Sequence, residues 1–173
     1  MRRVTASLVA FSAAILVTAL FYAGKVGATP ANGFTAATLA TGRFGEIDVF
    51  NHFLPPGSPE RKIWLSWQKT KGDSDLYVQS NTWQPGGSTG WHSHPGHSLI
   101  IVTAGTLTEY HGDDPNCKPI VYTQGMTFVD PGGSHVHIIR NEGNVVATNI
   151  AVQLIPAGQP RRIDVEAPGN CPF

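Results

Sequence analysis

Turn residues interrupt this chain at short, regular intervals from position 44 to the C-terminus. The 173 residues include 19 Gly and 13 Pro. Between the turns lie short runs rich in Val, Ile, Thr and aromatic residues, such as 98–102, 106–110 and 145–155. No stretch after residue 28 has a sustained helical period. Short runs of this type, bounded by turn residues roughly every ten positions, predict an all-β sandwich or barrel.

The composition excludes two classes of protein. Hydrophobic residues make up 41% of the chain and charged residues only 14%, whereas disordered chains are charged and poor in apolar residues. The 12 basic residues are matched by 12 acidic ones. The sequence therefore lacks the basic footprint of a nucleic-acid-binding protein, and we expect no nucleic-acid partner.

The N-terminal segment has the features of an export signal. Arg2 and Arg3 precede the uncharged run 4–24, and small residues follow up to Ala28. This order predicts a secretory signal peptide cleaved after Ala28. The apolar run is also long enough to span a bilayer, which leaves an uncleaved anchor as the alternative. In either case we expect the remainder to be secreted or extracytoplasmic, with membrane contact only through residues 4–24 if they are retained.

Three segments follow from this division of the chain. Residues 1–28 are the signal peptide or membrane anchor, residues 29–43 a linker or first edge strand, and residues 44–173 the predicted barrel.

Export also changes the expectation for the two cysteines, Cys117 and Cys171, which both lie in loops. Outside the cytoplasm such a pair usually forms a disulfide. Two unpaired thiols are the alternative.

Two His-x-His pairs are the strongest chemical signal in the sequence. His92 and His94 form the first pair, and His135 and His137 form the second, each beside a Gly/Pro-rich turn. Alternate residues of a strand point to the same face. Paired strands lie about 5 Å apart, so imidazoles from two neighbouring strands can converge. Imidazole is a good ligand for Zn, Cu, Fe and Ni. The spacing predicts a metal site, with a surface histidine cluster as the alternative.

The region around these pairs resembles the cupin superfamily. The first cupin motif is written G(X)5HXH(X)3,4E(X)6G, and the chain matches it with Gly86, His92, His94 and Gly105 but has Ser98 in place of Glu. The second motif is written G(X)5PXG(X)2H(X)3N. It matches at Gly125, Pro131, Gly133, His137 and Asn141, although the stretch before its His is one residue longer than usual. The resemblance covers about residues 75–155.

This resemblance implies a jelly-roll β-barrel with a divalent metal ion inside it. His92, His94 and His137 are carried over as ligands. His135 either becomes a fourth ligand in place of the missing Glu or exchanges roles with His137. Ser98 is a poor ligand beside imidazole, so it is expected to hydrogen-bond a ligand instead, as is Asn141. Cupins often pair through edge strands, which makes a homodimer an option.

The function implied is metal-dependent chemistry on a small molecule. Some cupins with three His and no Glu are dioxygenases, so the leading expectation is an oxygenase acting on a small anionic or oxygen-bearing substrate. An oxidising compartment leaves Mn, Fe, Zn, Cu and Ni all open as the cofactor. A non-catalytic cupin that binds a small molecule or a metal is the first alternative. A barrel without a metal is the second.

The remaining histidines and the tryptophans are expected to have structural roles. His97 is odd-spaced from His94 and should face away from the site, while His52 and His111 lie in turn-like contexts and should be solvated. The four tryptophans are expected in the barrel core or rim; they are Trp64, Trp67, Trp83 and Trp91.

Overall fold

The computed structural model describes residues 27–59 and 62–173, among which strands alternate with turns and no α-helix occurs. The strands in chain order are β1 (Asn32–Phe44), β2 (Asp48–Phe53), β3 (Trp64–Lys69), β4 (Ser74–Ser88), β5 (His92–Ser93), β6 (Ser98–Ala104), β7 (Thr106–His111), β8 (Ile120–Thr123), β9 (Thr127–Asp130), β10 (His137–Arg140), β11 (Ala147–Pro156) and β12 (Ile163–Asp164).

Ten of these strands form one antiparallel sheet that curls into a jelly-roll barrel. The strand order is β12-β5-β10-β4-β11-β6-β9, with β1 beside β4 and with β7 and β8 continuing from β10. The predicted all-β barrel is confirmed. Neighbours in the sheet are distant in sequence, as when β11 pairs with both β4 and β6. This arrangement brings the two His-x-His segments to the same part of the barrel.

The first strands differ in detail from the sequence prediction. β1 covers most of residues 29–43 and pairs with β4 from Asn32 to Phe44. Residues 44–50 do not form one strand, because β1 ends at Phe44 and β2 begins at Asp48. β2 and β3 then form a separate two-stranded sheet outside the barrel sheet.

The core lies between the walls of the barrel. Alternate residues of β6 are buried, as expected for a strand with one face inside. The main buried cluster contains Trp83, Ile100, Val102, Leu107, Phe128, Ile139, Ala147 and Ala151. Trp83 and Trp91 are buried as predicted, but the prediction is wrong for Trp64 and Trp67, which are 58% and 70% exposed. Both lie on β3, whose only strand partner among the described residues is β2.

The C-terminal tail is attached to the barrel by a disulfide. Cys117 and Cys171 are bonded to each other across 54 positions of sequence. Both pack against a second buried cluster formed by Trp91, Tyr110 and Ile138. Trp91 directly precedes His92, so the tail packs beside the start of β5.

Residues 4–24, the predicted signal or anchor segment, lie outside the described residues. Within the described part of the chain, no helix has the length and apolar character needed to cross a membrane.

An ion pair between β1 and β4 gives a pH-dependent contribution to stability. Arg43 donates two hydrogen bonds to the Asp75 carboxylate, at 2.8 and 2.9 Å, and Gly158 N–H donates a third at 2.9 Å. The hydrogen bond from Arg43 is the main reason that the pKa of Asp75 falls from 3.8 to about 2. Because the folded pKa lies below the unfolded one, this contribution is full above pH 4 and is lost as the pH falls through about 2.

We therefore expect Asp75→Asn to lower the melting temperature at pH 7 and to have little effect at pH 2. Thermal unfolding followed by circular dichroism at both pH values measures this difference. Asp73→Asn is the matched control, because Asp73 is an exposed neighbour outside the ion pair. An equal loss of stability at both pH values would contradict the electrostatic explanation.

Candidate metal centre

Three histidines converge on one point inside the barrel. His92 on β5 is directly opposite His137 on β10 in the antiparallel register, so the two side chains lie on the same face. His94 follows β5 by one residue. Each of the three offers a ring nitrogen, and these nitrogens lie within 4.8 Å of one another. The Nε2 atoms of His92 and His137 are 3.2 Å apart.

Hydrogen bonds on the far side of the ring fix the tautomer of His92 and of His137. His92 Nδ1 lies 2.9 Å from the Gly90 carbonyl oxygen, His94 Nδ1 lies 2.6 Å from the Arg161 carbonyl oxygen, and His137 Nδ1 lies 2.9 Å from Glu109 Oε1. The oxygens beside His92 and His137 can only accept a hydrogen bond, so these two Nδ1 atoms carry the proton, whereas His94 Nδ1 also lies 2.9 Å from the donor Gln153 Nε2. The Nε2 atoms of His92 and His137 therefore present free lone pairs to the same space, and His94 Nε2 lies 3.4 Å from Asp130 Oδ2.

Burial favours the neutral form of His92 and of His94. Burial is the largest cause that lowers the pKa of His92 well below its ordinary value, and repulsion from His137 adds to it. Burial also lowers the pKa of His94. A neutral imidazole is the form that binds a metal ion. The buried and convergent donors thus fit a divalent transition metal, the class of ion for which imidazole is suited.

A close contact between two glycine loops sets the position of the two motifs. A side chain at Gly132, which has φ +69°, would lie 2.3 Å from the Gly96 carbonyl oxygen. Only glycine permits this approach, because it lacks Cβ and readily adopts a positive φ. The loop after β5 therefore packs directly on the loop after β9. This contact brings the end of β9 next to His94.

Glu109 on β7 orients His137. It is 3% exposed, and its Oε1 accepts the hydrogen bond from His137 Nδ1. Its Oε2 accepts a hydrogen bond from the Tyr122 hydroxyl at 3.0 Å. Although burial opposes the change, the hydrogen bond and charge of His137 lower the pKa of Glu109. A carboxylate that holds the outer nitrogen of a ligating histidine is the usual support of a histidine–metal bond.

A cavity of about 120 Å³ opens beside the three Nε2 atoms. Its apolar walls include Ile100, Phe128 and Ile139. Four buried polar atoms on its lining residues have no hydrogen-bond partner within the described structure; they are Asn81 Oδ1, Trp83 Nε1, Asp130 Oδ2 and Gln153 Oε1. Buried polar groups are normally satisfied. Four unpaired polar atoms in one cavity indicate that the cavity binds a polar ligand.

The structure places the other predicted site residues apart from this cluster. His135 precedes β10 and is not in the three-histidine group; it forms a second candidate group with Glu109 and His137. The prediction for Asn141 is wrong. Its side chain donates to the Trp83 and Val145 carbonyl oxygens and accepts from Gly143 N–H, so it stabilises the turn after β10. Ser98 lines the cavity, but no hydrogen bond among the described residues joins its hydroxyl to a histidine.

The remaining histidines divide in two. His97 is exposed as expected, and so is His52 on β2. The expectation for His111 is wrong, because it ends β7 directly opposite His137. Its Nε2 lies 3.5 Å from Glu109 Oε2, and its ring contacts that of His135 at a centroid distance of 4.6 Å.

Sequence reasoning missed two buried carboxylates beside the ligands. Glu109 lies two residues before His111 in strand β7, which places both side chains on the same face. Asp130 directly precedes Pro131 of the second motif and ends an otherwise uncharged strand. At both positions the sequence offers one signal, which is an acidic residue within a β-type run. Acidic residues are almost never fully buried without a partner, so such a residue indicates a partner inside the barrel.

Comparison with known proteins agrees with this architecture. A family model described as the Cupin domain matches residues 81–153. No curated protein sequence gives a significant match. The polyketide cyclase RemF from Streptomyces resistomycificus has a similar structure, with a TM-score of 0.50 and 18% identity over 83% of this chain and 84% of its own.

Two other solved structures have weaker likenesses. A cupin superfamily protein from Desulfitobacterium hafniense has a TM-score of 0.40 and 18% identity, over 46% of this chain and 67% of its own. An oxalate oxidase in complex with the substrate analogue glycolate has a TM-score of 0.44 and 24% identity, over 52% of this chain and 46% of its own.

The matched segment contains both cupin motifs and the three converging histidines. The chain therefore contains a cupin domain, and its barrel places a candidate metal site of three imidazoles inside.

Proposed function

We propose that this protein binds one divalent metal ion through the Nε2 atoms of His92, His94 and His137 and acts on a small anionic or oxygen-bearing molecule in the adjoining cavity. The reaction class that we favour is oxygenation. The observation that carries the proposal is the set of three imidazoles whose ring nitrogens lie within 4.8 Å of one another. Imidazole suits Zn, Cu, Fe and Ni alike. These four metals and Mn are the candidates, and the identity of the ion is left open.

The lining of the cavity supports a small polar ligand. Arg161 and Arg162 lie at its wall. Arg162 is paired with Asp164. The Arg161 guanidinium lies over the Tyr77 ring and has no ion-pair partner among the described residues, so its charge favours an anion. Trp83 Nε1 is a buried donor without a partner, and Asn81 Oδ1 is a buried acceptor without one. A ligand that satisfies both groups removes the penalty of their burial. A cavity of about 120 Å³ restricts the ligand to a small molecule.

The chain's own residues define what the site does to such a ligand. A metal ion bound there would supply Lewis acidity or redox chemistry at a ligand oxygen. Glu109 and the Gly90 carbonyl oxygen hold His137 and His92 in the tautomer with the proton on Nδ1, so no proton has to leave these two rings when the ion binds at Nε2. Ile100 and Phe128 exclude water from one side of the cavity. Exclusion of water strengthens the electrostatic interactions of the bound ligand.

A second candidate is a non-catalytic module that binds a metal ion and a small molecule. The specific observation in its favour is Ser98, which occupies the first-motif position where a cupin metal site is expected to have Glu. Loss of a ligand at that position is compatible with retained binding and lost chemistry.

Metal analysis combined with oxygen uptake tests both candidates. The untagged protein, His92→Ala, His137→Ala and the control His52→Ala are analysed for metal by mass spectrometry, before and after addition of Mn, Fe, Ni, Cu or Zn. We expect about one ion per chain in the parent and in His52→Ala, and almost none in the other two. Oxygen consumption is then measured with thiols, diketones and small carboxylic acids.

The outcomes separate the hypotheses. Metal-dependent oxygen uptake that is lost in His92→Ala supports the oxygenase. Stoichiometric metal and saturable ligand binding without turnover supports the binding module. A parent that takes up none of the five ions overturns both.

We further propose that the protein is exported. The basic N-terminal residues, the apolar run 4–24 and the disulfide between Cys117 and Cys171 support this proposal. The intact mass of protein recovered from the extracytoplasmic fraction tests it. A chain that begins at Thr29 indicates a cleaved signal peptide, and a full-length chain in the membrane fraction indicates an anchor. Full-length protein confined to the cytosol would overturn export.

A further inference from the structure

We propose that Asp130 supplies the metal-binding carboxylate that Ser98 cannot, from the neighbouring strand of the barrel. The assignment rests on the proposed metal site and adds a fourth ligand to it. The site would then contain three imidazole nitrogens and one carboxylate oxygen, with the carboxylate contributed by β9 instead of β6.

The register of the barrel places Asp130 at the right position. β6 and β9 are antiparallel neighbours, and Ser98 is directly opposite Asp130. Residues in directly opposed positions have side chains on the same face, about 5 Å apart. Both residues line the cavity that holds the three histidines. The small Ser98 side chain leaves room for the carboxylate that reaches in from the opposite position.

The orientation of the carboxylate points to the metal-binding side of His94. Asp130 Oδ1 accepts a hydrogen bond from Gly132 N–H at 2.9 Å, which anchors the group. Its Oδ2 lies 3.4 Å from His94 Nε2. Two ligand atoms each about 2.1 Å from one ion lie about 3.4 Å apart at the tetrahedral angle. The separation is thus that of two ligands of the same ion.

Asp130 also lacks any other partner that would explain its burial. The residue is 1% exposed, and Oδ2 has no hydrogen bond within the described part of the chain. The nearby arginines are engaged elsewhere: Arg162 is bonded to Asp164 and to the Thr89 carbonyl oxygen, and Arg161 lies over the Tyr77 ring. A buried carboxylate without a counter-charge is strongly unfavourable, so a cation is expected to compensate it.

Binding requires a small movement of the carboxylate. Within the described residues, Asp130 does not belong to the group whose donor atoms all lie within 4.8 Å of one another. The two carboxylate oxygens are rigidly joined and move together, so a shift that brings Oδ2 closer to His92 and His137 also loosens the hydrogen bond that Oδ1 accepts from Gly132 N–H.

Metal affinity of four proteins tests the assignment. Mn²⁺ and Zn²⁺ dissociation constants are measured by calorimetry for the parent, Asp130→Asn, Ser98→Ala and the double variant Ser98→Glu/Asp130→Asn. Asn retains an acceptor for Gly132 N–H but loses the charge. We expect Asp130→Asn to weaken binding at least about tenfold, the scale of effect known for groups that support a metal site. Ser98→Ala should change it less than about twofold, and the double variant should recover most of the loss.

A spectroscopic readout covers the case in which a variant folds poorly. Co²⁺ bound to the parent and to Asp130→Glu is compared by visible absorption, and a change in the ligand-field bands is expected because the oxygen donor is displaced. Unchanged affinity in Asp130→Asn, with binding lost in His94→Ala, overturns the role of Asp130 and leaves the three-histidine site intact. A parent that binds no ion overturns the site and this assignment together.

Discussion

Removal of the disulfide between Cys117 and Cys171 is expected to lower the free energy of unfolding by about 4 kcal/mol. The bond closes a loop of 54 residues, and the chain-entropy model assigns that cost to the freedom gained by the unfolded chain. The tail that it fixes also packs in the folded state, where the Phe173 ring contacts Tyr110 and lies under the Arg140 guanidinium. Urea unfolding of a Cys117→Ser/Cys171→Ser variant measures the difference.

Reduction of the parent provides the matched control. The parent unfolded in the presence of a thiol reductant should have the same stability as the double serine variant, because both lack the same bond. The variant itself should not respond to the reductant. A loss below about 1 kcal/mol would contradict the prediction and would mean that the tail already restricts the unfolded chain.

The fold could be predicted from the sequence because its signals are local. Turn residues and β-type runs recur at intervals that suit a barrel, and the two motifs contain glycines at positions where the backbone requires them. Gly132 shows why: its close approach to Gly96 excludes every other residue. Strand boundaries were predicted less well, since the break at 45–47 depends on hydrogen bonds between Ile47 and Thr70 across the β2–β3 sheet.

Only the part of the site that belongs to the two motifs could be predicted from the sequence. His92, His94 and His137 follow from the alternation of strands, and the structure brings them together. Glu109 and Asp130 reach the site through pairing between strands that are distant in sequence, which a single sequence does not specify. Asn141 matched the motif yet has a role in the turn, which shows that agreement with a pattern does not by itself give the function of a side chain.

Glu109→Gln is expected to weaken metal binding by about 10- to 100-fold with little loss of folding stability. The glutamine side chain retains an oxygen that can accept from His137 Nδ1–H, so the ring keeps its orientation. The negative charge is lost, which makes His137 Nε2 a weaker donor to a cation. Tyr122→Phe is the matched control, because it removes a hydrogen bond from the same carboxylate but leaves its charge. Competition with a chelator of known affinity gives both dissociation constants.

The same measurement decides which of two overlapping groups holds the ion. Glu109, His135 and His137 also lie close enough to bind one, but that group would require His137 to give up the Nδ1 proton that it shares with Glu109. The three-histidine site uses Nε2 and leaves this proton in place. We therefore expect His135→Ala to retain the affinity of the parent. Equal losses in His135→Ala and Glu109→Gln, with none in His92→Ala, would place the ion on the Glu109 side of the His137 ring.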